Sequence, residues 1–176
     1  MTRPLSRRRP FPPGSAGRRA LPLLAALLLL ACASEPPPKP APPEALTIQE
    51  VMSIPGFTAD ELFEGAKVWV AESFSPSLDV IRYANRREKT VVGKTKIPHH
   101  RDAQFGTTQR LELKFTVMVE TKPGRLRYTF TDMVLMAPYG NEKILETDME
   151  VIRPKLDAAV QALVASFQRT TETEDW

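Results

Sequence analysis

The sequence predicts an α+β domain, a single antiparallel sheet with two helices packed on one face. Two observations point there. Residues 109–121 and 125–136 alternate large apolar with polar side chains on either side of Lys122-Pro123-Gly124. Period two means one face buried and one wet, as in an antiparallel sheet backed on one side. Apolar residues at three- and four-residue spacing mark a helix before these strands and another after them. The order is strand, helix, four strands, helix. Two amphipathic helices and a half-buried sheet complete one core when both helices lie on the same face.

Each element has its own signal. Leu46, Ile48, Val51 and Ile54 make a short strand that stops at Pro55-Gly56. Thr58 opens a helix through a capping box with Glu61, since each side chain can satisfy a backbone amide of the other residue. Leu62, Phe63, Ala66, Trp69, Val70 and Phe74 give that helix one apolar face, and Pro76 ends it. On such a face Trp69 is a core residue before it is a ligand platform. Strands over 78–84 and 90–97 flank a polar turn, Asn85-Arg86-Arg87-Glu88-Lys89. Leu111, Leu113, Phe115, Val117 and Val119 then define the clearest strand, and Leu126, Tyr128 and Phe130 continue its apolar face in the next. Burying each large side chain is worth about 1.5–3 kcal/mol, so this hairpin carries much of the core. Pro138-Tyr139-Gly140-Asn141 is read as the end of the sheet. Leu145 to Phe167 keeps helical spacing, and Pro154 is expected in the first turn of that helix, where a missing amide does no harm. Residues 171–176 read as a polar tail.

The N-terminal part is of another kind. Six arginines and no acid occupy the first 31 residues, and an apolar run from Ala20 ends in Leu29-Leu30-Ala31-Cys32. A basic start, a short apolar run and small residues form an export signal too short to span a bilayer. The last four residues resemble a lipobox, so Cys32 is the expected lipid-attachment site. The resemblance implies a membrane held through an N-terminal lipid. Ala33-Ser34 carries no aspartate after the cysteine, which by the enterobacterial pattern implies the outer membrane, periplasmic side. Arg8-Arg9-Pro10-Phe11 is similar to a twin-arginine motif, so the export route stays open. Residues 33–45 hold six prolines, and at about 3.1 Å per residue they would reach roughly 40 Å as extended polyproline. The plan is thus signal 1–31, lipidated cysteine and tether 32–45, and domain 46–170.

Ile54-Pro55-Gly56, then Glu61-Leu62-Phe63 with Trp69, Val80-Ile81, Val92-Gly93-Lys94 and Gly124-Arg125-Leu126-Arg127-Tyr128-Thr129-Phe130-Thr131-Asp132 resemble a domain-of-unknown-function family with a TATA-binding-protein-like fold. The resemblance covers about residues 46–170 and implies that fold in a secreted or lipid-anchored protein of a Gram-negative envelope. It supplies no catalytic residues. The proline-rich spacer and His99-His100 depart from the family pattern.

Chemistry is sparse. His99, His100 and Asp102 could seed a metal site, but adjacent side chains on an extended chain point apart and there are no other histidines. They are read as a solvated loop, with no metal and no cofactor expected. There is no Gly-x-Ser-x-Gly elbow and no phosphate-cradling glycine loop. Asp132 is expected on a strand, within reach of Arg127 or Arg110 in a surface pair. Nothing forces two carboxylates together for acid–base work, so no enzyme is expected. Cys32 is the sole cysteine, which excludes an intrachain disulfide.

Charge is the informative property. The formal net charge of +3 belongs to the signal: from Cys32 onward 18 basic residues face 21 acidic ones. Nucleic-acid binding by the mature chain has no support in that balance. Within it, Arg82, Arg86, Arg87, Lys89, Lys94, Lys96 and Arg101 stand against Glu88 alone. This basic hairpin is the candidate surface for anionic lipid or an acidic envelope protein. The same charges also keep an exposed hairpin soluble and its edge unpaired. The expected role is a non-enzymatic interaction module of the periplasm. The alternative is a carrier or sensor of a small apolar ligand, held between sheet and C-terminal helix as in helix-grip folds. The bulk of Phe115, Tyr128, Phe130, Trp69 and Phe167 speaks for a filled core and against it.

Overall fold

A computed structural model describes residues 37–74, 80–102 and 106–173, with side chains as far as Gln168. The expected export signal, Cys32, Pro76, Leu78, Asp79 and Trp176 lie outside the described residues. Residues 38–176 form one unit with its own hydrophobic core.

The first helix, α1 (Ala59–Ser73), starts where the capping box places it. Thr58 Oγ1 accepts from the Glu61 amide at 3.3 Å, and the Glu61 carboxylate accepts from the Thr58 amide at 2.7 Å. Its face of Leu62, Phe63, Ala66, Trp69 and Val70 is buried. The strands are β1 (Ile48–Ser53), β2 (Ile81–Asn85), β3 (Thr90–Asp102), β4 (Thr108–Lys122), β5 (Arg125–Ala137) and β6 (Gly140–Glu142). All pairs are antiparallel, in the order β1-β5-β4-β3-β2, with β6 beside β5. The architecture is the expected one: α+β, one antiparallel sheet, two helices.

β4 is the middle strand and obeys period two throughout. Leu111, Leu113, Phe115, Val117 and Val119 are buried, and the residues between them face the open side. β5 obeys it with a change of phase. Tyr128 and Phe130 are buried at even positions, then Met133 and Leu135 at odd ones. The switch sits at Asp132, whose φ of 54° is left-handed and where the register against β4 slips. A bulge of this kind adds one residue and lets the apolar face continue.

Three boundaries differ from the sequence reading. β3 runs on through Pro98 to Asp102, so His99 and His100 are strand residues, not a solvated loop. The Lys94 amide bonds the Val80 carbonyl, and past that point β3 is the sheet edge among the described residues. Pro98 shares the outward parity of Lys94, so its missing amide breaks no ladder bond. Pro138-Tyr139 does not end the sheet; it is the turn into β6. The second helix, α2 (Glu146–Thr173), begins eight residues before Pro154 and takes in part of the expected tail. Its start is set by Asp148, whose carboxylate accepts from the Leu145 amide at 2.8 Å. An interior proline costs about 3 kcal/mol, and burial of Met149 and Ile152 before it and Leu156 and Val160 after it outweighs that.

The proline-rich segment, expected to run free as far as Ala45, is fastened from Lys39 onward. The Ala41 amide donates to Ile144 at 2.8 Å and the Glu146 amide to Lys39 at 3.0 Å, around a Pro40–Leu145 bridge. Inside, Trp69, Phe74, Phe115, Phe130 and Tyr128 interlock with ring centres 5.0–6.4 Å apart. Trp69 also donates its indole N–H to the Ala159 carbonyl at 2.9 Å, joining α1 to α2. It is a core residue.

Candidate functional site

The seven cations of the basic stretch do not assemble into one surface. Arg86 and Lys89 fold back onto α1, Arg86 at 3.3 Å from Asp60 and 3.5 Å from Glu64, with Lys89 also on Asp60. Hydrogen bonding from Lys89, with Arg86 behind it, holds the Asp60 carboxyl below its ordinary value. The turn that carries them is fixed by Asn85, whose side-chain oxygen accepts from the Arg87 and Glu88 amides at 3.0 and 3.2 Å. Lys96 pairs with Glu112 at 2.8 Å on the open face of the sheet. Arg101 turns the other way and grips Asp148. Among the described residues no carboxylate pairs with Arg82, Arg87 or Lys94.

His99 and Arg101 share one side of β3, two residues apart, and meet the beginning of α2. Asp148 is buried between them. His99 Nε2 lies 3.0 Å from Asp148 Oδ1, Arg101 Nε 3.0 Å from the same oxygen and Arg101 Nη2 2.6 Å from Oδ2. Burial by itself would raise the Asp148 pKa; the Arg101 fork, the Leu145 amide and His99 outweigh it and hold the carboxyl below the ordinary value. An ionised carboxylate only accepts, so the imidazole donates from Nε2. His99 Nδ1 is buried and has no partner among the described residues. The sequence held a signal for this group: His-x-Arg on an extended segment puts both residues on one side. Its third member is not local, since Asp148 is 47 residues from Arg101. His100, next to His99, is exposed on the opposite side, so adjacent side chains do point apart.

The uncovered face of the sheet is the larger feature. No described helix lies on it. It carries Lys94 and Lys96 from β3, Arg110, Glu112, Lys114, Met118 and Glu120 from β4, and Arg127 and Val134 from β5. Arg127 forks onto Glu120 with two 2.7 Å bonds and keeps that carboxyl below its ordinary value. Asp132 meets neither Arg127 nor Arg110. It accepts from Thr116 Oγ1 at 2.8 Å, beside its own left-handed backbone. Two open clefts lie at the sheet ends. One of about 230 Å³ is lined by Val51, Glu120, Lys122, Arg125, Leu126 and Arg127. Another of about 410 Å³ lies between Gln109-Arg110 and the turn into β6. Neither is lined by a residue of α2. Among the described residues no three histidine, cysteine or acidic side chains gather to hold a metal. No described helix is long and apolar enough to cross a membrane.

With this geometry in place, the chain can be set beside known proteins. Residues 49–135 match the family model of a domain of unknown function (DUF4468) with a TBP-like fold. The motifs around Trp69, Gly93 and Tyr128 that resemble this family lie inside the match. A crystal structure of a DUF4468 family protein from Bacteroides ovatus ATCC 8483 superposes with a TM-score of 0.56 at 13% identity, covering 73% of this chain and 89% of that one. At that identity the likeness concerns the DUF4468 fold alone. A TBP-like protein from Parabacteroides distasonis ATCC 8503 gives a TM-score of 0.44 at 14% identity, over 55% of this chain and 64% of its own. No curated protein matches the sequence.

Proposed function

We propose that this chain is a lipid-anchored envelope protein whose DUF4468 domain is a non-enzymatic interaction module for an anionic partner. The observation that carries the reading is the pairing pattern of the cations. The domain neutralises Arg86, Lys89, Lys96 and Arg101 with its own acids, yet leaves Arg82, Arg87 and Lys94 without a described counter-ion on a chain that is net acidic after Cys32. Exposed unpaired cations attract anions over about 8 Å at physiological ionic strength. Against a catalytic role, His99 and Asp148 are closed to solvent, with Arg101 half-buried beside them. The anchor follows from the lipobox-like Leu29-Leu30-Ala31-Cys32.

The test has two halves. Cys32→Ala should abolish acylation and empty the washed membrane fraction of processed protein; processed variant that stays in washed membranes removes the anchor. Residues 38–176 should sediment with envelope extract or a polyanion at low salt and be released as salt rises. Binding indifferent to salt removes the electrostatic module.

A further inference from the structure

Lys96 on β3 and Lys114 on β4 stand directly opposite one another in the register, on the uncovered face. Lys94 lies on that face two residues along, about 7 Å away. Farther down the same ladder, His100 stands opposite Arg110. Like charges directly opposite each other weaken a sheet. Glu112 relieves Lys96, but no carboxylate among the described residues pairs with Lys94, Lys114 or Arg110. Edge protection accounts for Lys96, since β3 is the sheet edge there. It does not account for Lys114, which is on the middle strand with a neighbour on each side.

We propose that Lys94, Lys96, Lys114 and Arg110 form a docking surface for the phosphate groups of an anionic phospholipid membrane. This rests on the interaction role proposed above and narrows its partner. The choice of phosphate over carboxylate comes from which cations are left over. Lys96 is taken up by Glu112, and the arginines that meet carboxylates as two-bond forks, Arg101 on Asp148 and Arg127 on Glu120, are likewise spent within the chain. What stays unmatched on the open face is mainly lysine, a compact point charge that suits phosphate oxygens without a required plane. A single soluble phosphate is held best by converging backbone amides in a concavity. These four cations are instead spread over two neighbouring strands, an arrangement that engages several phosphates presented at once. Half-buried Val92, Met118 and Val134 give the lysine stems apolar ground to lie on while the ammonium groups reach outward.

The experiment uses residues 38–176, which contain every described element and the whole core. Co-sedimentation is measured with phosphatidylcholine vesicles, with and without phosphatidylglycerol, and binding to polyglutamate is measured beside it. Each basic residue near an anionic surface is worth about fivefold in binding. Lys94→Gln with Lys114→Gln should therefore lower partition onto the anionic vesicles roughly 25-fold. Arg86→Gln with Arg87→Gln removes the same charge from the turn between β2 and β3 and should change it less than about threefold, being farther from the contact. Lys114→Gln alone should raise the melting temperature by about 1–3 °C, because it relieves the repulsion from Lys96. Equal losses in the two double variants, or a lowered melting temperature in Lys114→Gln, overturn the surface. Binding to polyglutamate but not to anionic vesicles overturns the phosphate assignment and leaves the interaction module standing. Binding to vesicles, polyglutamate and envelope extract all absent removes the module as well.

Discussion

Arg101 holds Asp148 with two nitrogens at once, Nε 3.0 Å from one carboxylate oxygen and Nη2 2.6 Å from the other. The same carboxylate takes the Leu145 amide and the His99 imidazole, so one side chain both starts α2 and ties it to the far end of β3. Asp148→Asn keeps the shape and removes the charge, leaving Arg101 without its buried counter-ion. Breaking such a pair costs about 3–5 kcal/mol. Urea melts should show a loss of that order, and one below about 1 kcal/mol would mean the group is incidental.

Acid should act through the same carboxyl. Asp148 titrates below its ordinary value in the folded state. A depressed folded pKa gives stability that is complete above the unfolded value, near 3.9, and is lost as pH falls through the folded one. Urea midpoints should thus be flat from neutrality to about pH 5 as far as this group is concerned, then fall below about pH 4. Asp148→Asn should flatten part of that acid limb. An unchanged limb in the variant would assign acid sensitivity to other carboxyls, with Glu120 on Arg127 the next to test.

Phe115 faces the core from the middle strand, in edge-to-face contact with Phe74 and Phe130. Phe115→Ala should destabilise by about 3–5 kcal/mol. Its neighbour Thr116 faces the open side and contributes one hydrogen bond, to Asp132 in the bulge. Thr116→Ala should cost about 1 kcal/mol. Denaturant melts giving similar losses at both positions would contradict the two-sided character of β4.

Gly93 is a close approach. A Cβ there would stand 2.6 Å from Val70 Cγ1 and 3.2 Å from Val117 Cγ1, so α1 rests directly on the backbone of β3. Gly93→Ala should cost about 1–3 kcal/mol through overpacking. Val70→Ala in the same chain should recover part of it. A strictly additive double mutant would show that the helix does not press on Gly93.

The fold was legible because its signals are local. Period two in β4 and the Thr58–Glu61 box each fall within a few residues, and both hold. What escaped was set by partners far along the chain. Pro154 is a strong local stop signal, but the start of α2 belongs to Asp148, whose own partners Arg101 and His99 sit on β3. Pro98 looked like a strand end because nothing in sequence says that β2 has stopped pairing by then. The phase change at Asp132 needed a backbone dihedral that aspartate adopts only occasionally. Among the candidate cations, their count was readable, but their division between α1, α2 and the open face was not. That depended on which acids the fold brought within reach.

The junction at Lys39–Ala41 has a mechanical consequence. If Cys32 carries a lipid, a pull on that anchor enters the domain beside Leu145, at the head of α2, before it reaches any strand of the sheet. The seven peptide units between Cys32 and Lys39 span at most about 25 Å when fully drawn out, so the domain can rise only a short way from its membrane. The first bonds to bear tension are those from the Ala41 and Glu146 amides. If they part, the strain passes to Ala41, buried in the core, and to Leu46, packed against it, before it reaches β1. The proline segment is in that sense a leash with a catch, and its working length is set by two hydrogen bonds and two apolar side chains.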